Sequence, residues 1–141
     1  MLKSLDLARV LLVDDELASR LTLQTILQAG GYSVDVATSS TEAFSKLDRG
    51  EYELVLSELE METRNAGLQV LSYARVKDYK PATALVTAYK EARAFRYPAG
   101  DEQQVSINAE NVSTLLGQIA DLIGLRAQRR ANHRVLARAV E

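Results

Sequence analysis

Short apolar runs of strand character alternate with stretches of helical period along most of this chain, which restricts the fold to helices packed around a parallel sheet. Arg9 to Val13 (RVLLV) is continuously apolar after its first residue and ends in Asp14 and Asp15, as a buried central strand feeding a loop would. Leu23, Ile26 and Leu27 then repeat at helical spacing, and Gly30 with Gly31 supplies a stop. Tyr32, Val34 and Val36 alternate with polar residues, so the second strand has one wet face and belongs at an edge. Thr41 to Leu47 predicts a short helix, and Leu54 to Leu56 a third strand.

Beyond that strand lies an acidic loop carrying Glu58, Glu60 and Glu62. Gly67 opens a helix with Leu68, Val70 and Leu71 as core candidates and Pro81 marking its end. Ala82 to Thr87 is a fourth strand. Pro98 and Gly100 break the next segment, leaving room for a short or distorted helix near Lys90 to Arg96. A fifth strand is predicted at Val105 to Ile107. An amphipathic helix from Val112 to Ile123 closes the domain. Five strands and five helices in this length give an α/β fold with a doubly wound five-stranded parallel sheet, flavodoxin-like, in the order 2-1-3-4-5. Right-handed crossovers then bring Asp14, Asp15, Glu58 and Thr87 to one rim.

A chain of 141 residues holds one domain with an appendage. Residues 1–125 are that domain; residues 126–141 form a basic helical extension or a linker. The formal charge of -2 conceals a division, since five arginines and one acid after Leu125 give +4, leaving -6 for residues 1–125. Without cysteine there is no disulfide, thiolate metal site or cysteine nucleophile. No apolar run approaches a membrane span, and the N-terminus lacks the order of a signal peptide, so a cytoplasmic protein is expected. The tail's arginines could extend the last helix, dock on a partner or lead to an output domain. Nucleic acid is the less favoured partner, because no helix-turn-helix or aromatic platform accompanies them. His133 reads as a surface residue.

Four fragments in order, LVDDE at 12–16, YELVLSELEM at 52–61, GLQVL at 67–71 and VTA at 86–88, resemble the successive motifs of response-regulator receiver domains. The similarity spans roughly residues 8–124. It implies a module of two-component signalling in which two acids after the first strand hold Mg²⁺ and an aspartate after the third accepts a phosphoryl group. A hydroxyl ending the fourth strand and a lysine ending the fifth contact that group. Asp14, Asp15 and Thr87 match this pattern, but the acceptor position holds Glu58 and the lysine position Asn108. The switch aromatic falls on Gln104 or Gln103, and the proline after Met61 is Glu62. The resemblance further implies a metal site of Asp14, Asp15, Glu58 and the Glu60 backbone carbonyl.

Glutamate places its carboxylate about 1.5 Å farther from the strand than aspartate does, and misplacement of that size costs on the order of 10²-fold in an aligned attack. Loss of the lysine removes a cation that would balance phosphoryl charge. The expectation is an atypical, non-enzymatic receiver that signals by protein contact, with Glu58 either imitating the charged form or left as an exposed acid. The alternative is a phosphorylation-competent receiver that uses Glu58 with Mg²⁺. A histidine kinase, an output protein or a second copy would meet the face from Lys90 to Ile123. A metal-dependent hydrolase is disfavoured, because no rim histidine supplies a general base.

Overall fold

A computed structural model of the chain describes residues 7–87, 106–108 and 111–140. The strands are β1 Arg9–Val13, β2 Ser33–Ala37, β3 Leu54–Ser57, β4 Ala82–Thr87 and β5 Ser106–Asn108. The helices among the described residues are α1 Leu17–Ala29, α2 Ser40–Arg49, α3 Ala66–Arg75 and α4 Val112–Val140. All strand pairs are parallel, and the sheet order is β2-β1-β3-β4-β5, as the alternation predicts.

Strand alternation divides the core into two layers. Val10, Leu12, Leu54, Leu56, Ala84 and Val86 face α1 and α4, where Leu23, Leu27, Leu115 and Ile119 meet them. Leu11, Val13, Val55 and Leu85 face α2 and α3, packing with Leu47, Val70 and Leu71. Both faces of β1 and β3 are therefore covered, which explains their unbroken apolar runs. Each fully buried leucine contributes roughly 2–3 kcal/mol relative to an exposed one. At the sheet edge, Tyr52 donates to Asp35 at 2.7 Å and Arg9 pairs with the same carboxylate at 2.9 Å.

Several boundaries differ from the sequence expectations. α2 starts at Ser40 because Ser39 accepts from the Glu42 N–H at 3.1 Å, while the Glu42 carboxylate accepts from the Thr38 N–H at 2.6 Å. α3 stops at Arg75, well before Pro81, and a turn follows in which Lys80 adopts φ 44°. β5 lies one residue later than predicted. The helix expected near Lys90 to Arg96 falls outside the described residues. α4 continues through Leu125 without a break and reaches Val140. Among the described residues, no helix is long and apolar enough to cross a membrane.

Candidate functional site

Parallel pairing puts the carboxyl ends of the strands at one rim. Val13 lies opposite Ser57, Ser57 opposite Leu85, and Thr87 opposite Asn108. Asp14 continues β1, with its N–H bonded to the Ala37 carbonyl at 3.0 Å. Glu58 continues β3, with its N–H bonded to the Val13 carbonyl at 2.9 Å. The ladders thus carry both acids one residue past their strands. Thr87 and Asn108 are strand-terminal at the same rim.

Asp14 is 2 % exposed and fully engaged. One carboxylate oxygen accepts from the Glu16 N–H at 2.9 Å, and the other from the Ser19 hydroxyl at 2.5 Å. A buried carboxylate held in this way is compensated for its lost water. Asp15 is exposed. Glu58 sits between these conditions: half-buried, its carboxyl has no hydrogen-bond partner among the described residues. Burial, reinforced by Asp14, Asp15, Glu16 and Glu60, pushes its pKa up to about 7. Near neutrality Glu58 therefore holds its proton more readily than an ordinary glutamate.

Three features were not read from the sequence. Ser19, in the first turn of α1, holds Asp14; a hydroxyl five residues after the acid was the available signal. Arg20 brings a cation to the rim, its guanidinium donating to the Asp14 backbone carbonyl at 3.1 Å. Glu62 is anchored by Ser40. Its carboxylate accepts from the Ser40 N–H at 2.9 Å and from the Ser40 hydroxyl, at the N-terminus of α2. That end of the helix offers free N–H groups to an anion.

The β3–α3 loop is held by the Gly67 N–H, which donates to the Leu59 carbonyl at 2.7 Å. Ser57 is fully buried and donates to the Glu58 carbonyl at 2.8 Å. The oxygen donors at the rim suit a hard cation in kind. Among the described residues no three acids are gathered around one point, and each Asp14 oxygen accepts one hydrogen bond.

The sheet order and the acids that end its first and third strands agree with a known family of signalling domains. The family model of the response regulator receiver domain matches residues 10–99, and the chain belongs to that family. AlgB of Pseudomonas aeruginosa, an alginate biosynthesis transcriptional regulatory protein, is 38 % identical over 81 residues, covering 57 % of this chain and 18 % of AlgB. The transcriptional regulatory protein ResD of Bacillus subtilis is 31 % identical over 98 residues, covering 69 % of this chain and 40 % of ResD. The chain thus spans less than half the length of either regulator. The response regulator TrrA of Thermotoga maritima, solved in complex with Mg²⁺-BeF, is 31 % identical with a TM-score of 0.65, covering 81 % of this chain and 97 % of TrrA. TrrA has also been solved in complex with the histidine kinase ThkA.

Proposed function

We propose that this receiver domain signals through protein contact without ordinary aspartyl phosphorylation. The observation that carries the reading is Glu58 itself, which stands where the acceptor would be with its pKa pushed up to about 7. A carboxyl that is one methylene too long and held towards its neutral form is a poor nucleophile toward a phosphoryl donor. Asn108, in place of a lysine, adds no charge to offset an incoming dianion. Glu58 is also an imperfect imitation of a phosphoryl group, since its own charge is only partly present at neutral pH.

On this reading residues 1–125 are the signalling domain and 126–141 its helical extension, acting in the cytoplasm. The partner is a histidine kinase, an output protein or a second copy, engaged through the face from Lys90 to Ile123. Asp14, Asp15, Glu58 and the Glu60 carbonyl form a weak Mg²⁺ site on this reading, favoured by loss of the Glu58 proton. Thr87 is the switch hydroxyl of the same reading.

Incubation with acetyl phosphate and Mg²⁺, followed by intact-protein mass spectrometry, tests it. The unchanged mass of the wild-type chain is the expected result. A stable phosphoryl adduct on Glu58, accompanied by a change in association state, would overturn the reading in favour of a phosphorylation-competent receiver.

A further inference from the structure

At the end of the sheet opposite the acidic rim, α4 and the turn before β4 enclose a groove of about 810 Å³. That volume falls in the range of small-molecule sites. Its helix wall presents Arg126, Arg129, Arg130 and Arg134, which the helical repeat places on adjacent turns. Lys80 faces them from the turn, and Asp78 is the one acid among the lining residues. Leu122, Leu125 and Pro81 supply apolar wall.

The arginines have two separate states. Arg126 donates to the carbonyls of Lys80 and Tyr79 at 2.9 and 2.6 Å, and Arg130 donates to that of Tyr79 at 2.9 Å. These neutral acceptors fix the two guanidinium groups without cancelling their charge. Arg129 and Arg134 are exposed, and among the described residues none of the four makes an ion pair with a carboxylate. Packing cations against one another has a cost: burial and the neighbouring Arg130 lower the pKa of Arg126. A bound anion would relieve it.

We propose that this groove is a binding site for a nucleoside polyphosphate. Arg129 and Arg134 take the phosphates, for which planar, forked guanidinium groups are suited. Arg126 and Arg130 supply fixed positive potential, and the base lies against Leu122, Leu125 and Pro81. The site is separate from the acidic rim and does not depend on whether Glu58 is phosphorylated.

Calorimetric titration of the full chain with ATP and, separately, with tripolyphosphate tests the proposal, using metal-free buffer at about 0.15 M salt. ATP is expected to saturate one site per chain and to bind about tenfold more tightly than tripolyphosphate. Arg129→Ala with Arg134→Ala should weaken ATP by about tenfold or more, and the corresponding pair of lysine substitutions by less. In the wild-type chain, amide shifts on adding ATP should concentrate at residues 75–83 and 122–134, a readout that needs no variant. No saturation by about 5 mM ATP, shifts elsewhere, or unchanged affinity in a folded alanine variant would each defeat the proposal. Equal binding of tripolyphosphate would defeat the role given to the apolar wall, and with it the nucleoside.

Discussion

A Cβ placed on Gly67 would lie 2.1 Å from the carbonyl oxygen of Glu58 and 2.7 Å from the Leu59 α-carbon. The start of α3 and the loop leaving β3 are therefore in backbone contact, and only a residue without a side chain permits it. Gly67→Ala is expected to destabilise the fold by about 1–3 kcal/mol, because backbone atoms cannot step aside as a flexible side chain can. Urea unfolding measures the loss; a change below about 0.5 kcal/mol would mean that the loop yields freely.

Glu58 should tie stability to pH. Its carboxyl titrates near 7 in the fold against an ordinary value of 4.5. Between those values the native state keeps a proton that the unfolded chain has released, so stability falls as pH rises through the window and stays reduced above it. A displacement of that size corresponds to about 3 kcal/mol, and partial solvent access should reduce the effect to about 1–2 kcal/mol. Glu58→Gln removes the penalty. The variant should gain on wild type progressively from pH 4.5 to 7 in denaturant unfolding, and a constant difference would contradict the assignment.

Shortening the same side chain tests its chemistry. Glu58→Asp withdraws the carboxylate by about 1.5 Å and should recover weak labelling by acetyl phosphate in intact mass measurements. Labelling should remain low because Asn108 still supplies no cation. Partner or self-association should change little.

Mg²⁺ binding should depend on pH in the opposite sense to the stability penalty. A cation stabilises the deprotonated Glu58 and offsets the repulsion among Asp14, Asp15 and Glu58. Calorimetry is expected to show weak binding that strengthens between pH 6 and pH 8 and is abolished by Glu58→Gln. Equal affinity at the two pH values would exclude Glu58 as a ligand.

Arg126→Ala combined with Arg130→Ala removes three hydrogen bonds to the Tyr79 and Lys80 carbonyls. Each is worth about 1 kcal/mol, and the second half of α4 should exchange its amide hydrogens faster while β1 and β3 do not. Uniform acceleration across the chain would instead indicate global destabilisation.

The sheet order and the meeting of Asp14 with Glu58 could be read in advance because both follow from strand period and crossover hand. Leu11 and Leu12 announce a strand covered on both faces, and the acids simply continue the strands. The full bonding of Asp14 could not be read, since it depends on α1 bringing Ser19 back over the strand end. The placement of Glu62 was missed for a similar reason: its proximity to Ser40 crosses 22 residues of sequence. The continuity of α4 was only one of several readings of the tail. Its arginines look like solvated charges until the carbonyls of a distant turn are seen to receive two of them.

Tyr79 accepts both arginines on its backbone oxygen and donates its side-chain hydroxyl to the Leu47 carbonyl at 2.9 Å. One residue therefore clamps the end of α2 to the middle of α4, and α4 becomes a lever with its pivot at that clamp. From Arg126 to Val140 the helix extends about 21 Å, so a tilt of about 5° at the pivot moves its far end by about 2 Å. A displacement too small to disturb the core would thus reach the last turn enlarged to the scale of a side-chain contact.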